Sequence, residues 1–387
     1  MSLRLPIYMD YHATTPLDPR VLNEMLPFLK GKFGNASSID HPYGAVAHDA
    51  VERARERVAR LIHAKPEEVI FTSGATEADN LALIGAAINY RGKGRHIITC
   101  TTEHKAILDT CKYLEQFGWK VSYIPVNKLG EIDLEKLNDA ICPETVLISV
   151  MFANNEIGTI GPIREIGNIA KAKGVLFHTD AAQAVGHIPV DVEEMRIDIM
   201  SMSAHKINGP KGIGALYVRR HDPRVVLSSL IHGGGQERNL RSGTQNVPGI
   251  VGMGSALEVA RKSLDREATL FMSWTSRMKS AFNAISGAEQ NGHPTNKLPH
   301  NLNMYFPKVE SKALIQAVNK EVAISAGSAC TSQEVEPSHV ILALGYPAER
   351  AHSSVRFGVG RFNTVDEVKF VIECINKAIS HIRKIGV

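Results

Sequence analysis

The chain reads as an α/β protein with a mostly parallel central sheet in a large region and a smaller α+β region beyond it. Three observations predict this. Between residues 68 and 218, short apolar runs alternate with amphipathic helical patterns. Strands separated by helices need right-handed crossovers, which build parallel sheets covered on both faces. Polar residues suited to chemistry follow directly after five of these strands, where open α/β sheets bind ligands. Beyond residue 218 the alternation lapses, and shorter strands and helices resume over 301–387. The expected division is a large domain over 16–260 and a small one formed by 1–15 and 261–387, joined through the N-terminal strand.

Composition narrows the function classes. The 387 residues are 44% hydrophobic and 22% charged, ordinary for a globular protein with a sizeable core. The net charge of +4 comes from interspersed charges, with no basic stripe or aromatic platform to suit a nucleic acid. Apolar runs such as Val146–Ala153 are too short to span a bilayer. With no secretory h-region near Met1, the expected location is the cytoplasm, and neither membrane nor nucleic acid is an expected partner. The five cysteines, Cys100, Cys111, Cys142, Cys330 and Cys374, are scattered and form no CxxC pair or metal-spaced cluster. They read as reduced thiols, and no metal is expected.

Each element has its own signal. Ile7–Met9 is a short strand ahead of a helix from Pro19 to about Lys30. A Gly/Asn/Ser-rich loop over Gly31–Ser38 has room for a ligand contact through Asn35. The helix over Gly44–Ile62 places Val46, Val51, Ala54, Val58 and Leu61 on one face. Strands are expected at Glu68–Thr72, His96–Cys100, Lys120–Ile124, Val146–Met151, Val175–His178, Arg196–Met200 and Ile213–Val218. Helices fall between most of them, from Ala75 to Tyr90, Lys105 to Phe117, Leu134 to Ala140 and Ile163 to Lys173. A long helix from about Gly249 through Lys279 leads into the second region.

The strand ends supply the chemistry. Ser73-Gly74-Ala75-Thr76 opens a helix and offers free N–H groups, a hydroxyl and the positive helix end to an anion. It is neither a Walker A loop nor a GxGxxG turn. His104, Asn155, Asp180, Gln183 and the run Ser203-Ala204-His205-Lys206 follow later strands. Any one of these polar groups also reads as a helix cap, and Lys206 alone reads as a solvated turn. Together they add up to more. A carboxylate beside a ring nitrogen, a lysine able to form a Schiff base, an anion cradle and a stacking imidazole describe a pyridoxal phosphate site. Cys330 sits among Ser325, Ala326, Gly327, Ser328 and Ala329, which offer little packing and predict an exposed loop. A thiol there reads either as structural or as ionisable and reactive. Arg356 suits a substrate carboxylate, or else a surface ion pair.

These motifs carry a resemblance. They are Met9–Pro16, Thr72–Glu77, Thr102–Ala106, Asn154–Gly158, His178–Gln183, Ser203–Lys206, Gly233–Arg238, Arg241–Thr244, Gly327–Ser332 and Ala351–Phe357. Over nearly its whole length the chain resembles the NifS/IscS-type cysteine desulfurases, fold-type I pyridoxal phosphate enzymes of the class V aminotransferase family. The Ser-Ala-Cys-Thr-Ser form around Cys330 is similar to the first group of that family.

The resemblance implies roles residue by residue. Lys206 tethers pyridoxal 5′-phosphate, Asp180 pairs with its ring nitrogen, and Gln183 bonds its ring hydroxyl. His104 stacks on the ring and moves protons. Ala75, Thr76, Ser203 and His205 hold the phosphate, and Thr244 reaches the phosphate of a partner subunit in a homodimer. Asn155 lies beside the ring and, with Arg356, binds the carboxylate of L-cysteine; Asn35 is a further candidate for that. Cys330 takes the sulfur, leaving alanine, and passes the persulfide to an acceptor protein. An iron–sulfur scaffold is one such acceptor, although the tail by which many relatives dock it is expected to be absent. An aminotransferase or β-lyase of the same fold would need Lys206 and Asp180 but not Cys330. A hydrolase using His232–Gly235 as an oxyanion loop lacks a GxSxG elbow. A non-catalytic binding protein would not need the full set of cofactor-contacting residue types.

Overall fold

A computed structural model describes residues 3–327 and 337–386. Strand β1 (Ile7–Tyr8) precedes helices α1 (Pro19–Leu29) and α2 (Pro42–Leu61). The alternating stretch then gives β2 (Val69–Thr72), α3 (Ala75–Tyr90), β3 (His96–Cys100), α4 (Lys105–Glu115), β4 (Lys120–Ile124), α5 (Leu134–Ala140), β5 (Thr145–Ser149), α6 (Ile163–Lys173), β6 (Leu176–Asp180), β7 (Ile199–Ser203) and β8 (Gly214–Val218). The seven strands are ordered β2-β8-β7-β6-β5-β3-β4.

The pairing is parallel from β7 across to β4, as the alternation predicts. Strand β8 runs antiparallel to both β7 and β2. Its connection from β7 contains only a single 3-10 turn, Ala204–Lys206, too little chain for a crossover helix. The strand expected at Arg196–Met200 starts later, at Ile199. Arg196 sits in a turn at φ 53°, and the Asp198 carboxylate accepts the Phe177 N–H at 2.9 Å.

Helix starts follow ordinary capping chemistry. Asp18 caps α1 with Pro19 behind it, His41 caps α2, and Asp133 caps α5. Val46 departs from expectation and is 38% exposed. Helix α2 instead buries Ala47, Ala50, Val51, Ala54 and Val58, mostly small residues that allow close helix packing.

Two core clusters meet along one helix. Helix α7 (Val247–Asn283) contributes Val247, Ile250, Val251, Met253, Ala256 and Leu257 to the core beneath the sheet. Its later residues Phe271, Trp274, Met278 and Phe282 join a second core with Ile7, Met9, Leu302 and Phe357. The boundary expected at 260 therefore falls inside a continuous helix. The rest is β9 (Glu289–Gln290), β10 (Asn301–Tyr305), α8 (Ser311–Val318), β11 (Val322–Ala323), α9 (His339–Ala343), α10 (Ala348–His352), β12 (Ser354–Gly358) and α11 (Val365–Ile385). Strands β12, β10 and β9 form an antiparallel sheet, and β1 pairs in parallel with β11. Strand β1 thus pairs within the second region, and its Ile7 packs in the second core. No described helix is long and apolar enough to cross a membrane.

Buried imidazoles make the fold acid-sensitive. Burial pushes His178 down to about 3 and holds His12 and His300 well below the ordinary imidazole value. In the unfolded chain these rings protonate at about 6.5. Their contribution is intact above that pH and is lost as the pH falls below it, because only the unfolded chain takes up the protons. The buried carboxyls of Asp79 and Glu103 are raised by burial, so they favour the folded state as pH falls and offset part of this. The expected result is a melting temperature that drops steeply between about pH 6.5 and pH 4.5. Each neutral ring removes about 1.4 kcal/mol per pH unit before the offset. Thermal denaturation across a pH series measures it.

Candidate active site

The carboxyl ends of β2, β3, β5, β6 and β7 open onto one cavity of about 540 Å³. Of the predicted residues, Ala75, Thr76, His104, Asn155, Asp180, Gln183, Ser203, His205, Lys206 and Arg356 all line it. The sheet topology explains the convergence: parallel strands present their carboxyl ends on one rim.

The anion cradle is the start of α3. Gly74 is its N-cap and offers no side-chain cap, so the first N–H groups lack intrahelical partners. Glu77, in the first turn, would repel an anion, but Arg241 pairs with it at 2.9 Å. Lys211 adds a positive charge to the lining. Strand β8 passes close behind: a Cβ on Gly214 would meet the Met202 carbonyl oxygen at 2.5 Å and Gly74 Cα at 2.7 Å. Gly214→Ala is expected to push β8 off the cradle, destabilising the fold by about 1–3 kcal/mol and weakening phosphate binding. Melting temperature and cofactor affinity, measured together, check this.

Lys206 ends the 3-10 turn after β7. Its Nζ donates to the carbonyl oxygens of His12 at 2.5 Å and Ala13 at 2.9 Å. The adjacent His205 ring bonds the Thr14 hydroxyl at 3.1 Å, and burial pushes its pKa down to about 4. At neutral pH the His205 ring is therefore uncharged.

Asp180 closes β6 on the neighbouring strand, and Ala182 N–H bonds its Oδ1 at 2.9 Å. Burial raises its pKa, with the charges of His104 and Lys206 opposing. His104 does little to neutralise it, because burial lowers that ring's own pKa. His104 also caps α4: its Nδ1 accepts the Ala106 N–H at 3.1 Å, so the neutral ring carries its proton on Nε2. A carboxylate that burial disfavours in its charged form fits a protonated ring nitrogen, which would add a counter-charge beside that of Lys206.

Arg356, on β12, brings the second region to the same cavity. It is buried and pairs with Asp10 at 2.8 Å. It also donates to the Asn155 carbonyl at 2.9 Å and the Ser325 hydroxyl at 3.3 Å. Its Nε has no partner among the described residues. The strand-end loops are cross-linked by polar bonds. Asn154 donates to the Thr102 carbonyl at 3.0 Å, and Glu103 accepts the Met151 N–H at 2.7 Å.

Two predicted residues stand away from the cavity. Asn35 is exposed, and its Oδ1 accepts the Ser37 N–H at 3.0 Å, so its amide serves a local turn. Thr244 is exposed and does not line this chain's cavity. Cys330 lies outside the described residues. His12, Asp79 and Lys211 also line the cavity, without a role expected from the sequence. His12 was within reach, since it is the imidazole in the motif Asp10–Pro16.

The chain matches the aminotransferase class-V family over residues 7–371. It belongs to that family. The family depends on pyridoxal 5′-phosphate, and the residues here fit that group: a helix-end cradle, a buried carboxylate and a lysine share one cavity. A relative named cysteine desulfurase IscS, from Anaeromyxobacter dehalogenans (strain 2CP-C), is 51% identical over 99% of this chain and 95% of its own. A solved NifS-like protein superposes with a TM-score of 0.91 at 39% identity, covering 97% of this chain and all of that one. SspA, solved in complex with cysteine, gives 0.81 at 37% identity, covering 92% and 100%. The chain is thus a pyridoxal phosphate-dependent enzyme of the cysteine desulfurase kind.

Proposed function

We propose that the protein takes sulfur from L-cysteine, with Lys206 tethering pyridoxal 5′-phosphate and Cys330 receiving the sulfur. The observation that carries the cofactor half is Lys206, Asp180 and the α3 cradle facing one cavity, with Arg356 at its side. The likeness to SspA, solved with cysteine, supports the substrate.

The division of work follows from the side chains. The α3 N–H groups, Thr76, Ser203 and His205 hold the phosphate, Asp180 the ring nitrogen and Gln183 the ring hydroxyl. Arg356 and Asn155 orient the substrate carboxylate. When bound, the cofactor supplies an electron sink for the pairs left as the substrate's C–H and C–S bonds break. Lys206 Nζ takes the Cα proton, and His104, with its proton on Nε2, protonates the substrate. The Cys330 thiolate attacks the substrate sulfur. The C–S bond breaks, the β-carbon takes a proton, and the products are alanine and a persulfide on Cys330. The two thiols of the reactants become one persulfide and one new C–H bond, so no outside oxidant is needed.

The persulfide then passes to an acceptor protein, for iron–sulfur assembly or other sulfur transfer, in the cytoplasm. The working form is a homodimer in which Thr244 reaches the partner's phosphate. The exposed apolar side chains Leu29, Phe33, Ile39 and Tyr43 support a covered surface around α1 and α2. The large domain over 16–260 and the small domain of 1–15 with 261–387 would close the site between them. The test is an assay of alanine release from L-cysteine by the cofactor-loaded protein. Alanine formed in proportion to enzyme supports the proposal; pyruvate as the main product instead makes it a β-lyase.

A further inference from the structure

Behind Lys206, three imidazoles form a column. The His12 ring stacks on His300 with centroids 4.4 Å apart, and His300 on His187 at 4.1 Å. Both ends of the column bond the site. His187 Nε2 lies 2.9 Å from the Lys206 carbonyl oxygen, which only accepts, so Nε2 carries the proton. His12 Nδ1 lies 2.9 Å from Gln183 Oε1, and Gln183 Nε2 donates to the His12 carbonyl at 3.1 Å. That same carbonyl accepts from Lys206 Nζ.

These contacts fix the protons. Gln183 Oε1 accepts, so His12 Nδ1 carries the proton; Nε2 then accepts from Asn301 Nδ2 at 3.1 Å. Every polar atom of the His12 side chain is bonded. The middle ring differs: Nδ1 of buried His300 has no partner among the described residues. A phenyl ring would stack there without leaving a nitrogen unpaired. The middle ring is a spacer, and the outer two make the bonds.

The two-point grip on His12 uses Gln183 Oε1 and one Nε2 hydrogen. One N–H remains, and Gln183 lines the cavity. Turned over, the amide would set N–H against N–H at His12 and offer the cavity an oxygen. We infer that His12 is a positioning residue: it fixes which end of the Gln183 amide faces the cofactor and carries the carbonyl that Lys206 Nζ bonds. This rests on the cofactor site proposed above.

The test compares holoenzyme variants by visible circular dichroism of the bound cofactor and by its rate of release on dilution. His12→Phe keeps the stack and removes the N–H. It is expected to change the dichroism and speed release about tenfold. His12→Asn keeps an N–H near the Nδ1 position and is expected to recover most of both. His300→Phe is expected to leave both unchanged. A His12→Phe variant that matches the parent, or a His12→Asn variant no better than it, overturns the inference. So does His300→Phe if it disturbs the cofactor as His12→Phe does. If His12→Phe does not fold, His12→Leu takes its place. Borohydride capture on Lys206→Ala checks the underlying site separately: cofactor still fixed to that chain sinks the role of Lys206, whatever His12 does.

Discussion

Lys206→Ala is expected to lower alanine formation from L-cysteine by about 10⁴-fold or more, because one side chain both tethers the cofactor and moves the Cα proton. Fold stability should change far less. The side chain bonds the backbone of His12 and Ala13, and those carbonyls stand at the cavity edge, where water can replace the amine. Cofactor should still enter, since the α3 cradle and Asp180 are untouched, but it should leave on gel filtration. Alanine release and cofactor retention, measured on the same preparation, check both halves. A variant that keeps a tenth of the parent rate would remove Lys206 from the chemistry.

Cys330→Ala is expected to be nearly as damaging, at about 10³-fold or more, for a different reason. The side chains assigned to cofactor and substrate carboxylate are all present in that variant, so its visible spectrum and its L-cysteine binding should match the parent. Only the group that attacks sulfur is gone. Undiminished alanine formation would sink the persulfide mechanism and remove Cys330 from the chemistry.

Much of this was legible in the sequence because parallel strands end on one rim. Once β2, β3, β5, β6 and β7 were read from apolar runs, the residues after them had to share a site, and Thr76, His104, Asn155, Asp180 and Lys206 do. What stayed hidden depends on partners far along the chain. The direction of β8 follows from the short connection after Ser203, which apolar periodicity does not report. Val46 fits the helical period of α2, yet the face in contact is a strip of small residues one position over. Asn35 stands outside the cavity lining, with its Oδ1 taken by the Ser37 N–H two residues away. His12 takes its meaning from Gln183 and Asn301, far away in sequence and brought together only by the fold. The motif Asp10–Pro16 was visible; the reason for an imidazole inside it was not.

The most direct test of sulfur transfer is mass spectrometry of the intact, cofactor-loaded protein after brief exposure to L-cysteine, followed by peptide mapping. One added sulfur per chain is expected, located on the peptide containing Cys330 and absent from Cys330→Ala. Alanine formed while the extra sulfur sits on Cys100, Cys111, Cys142 or Cys374, or on no cysteine, would contradict it.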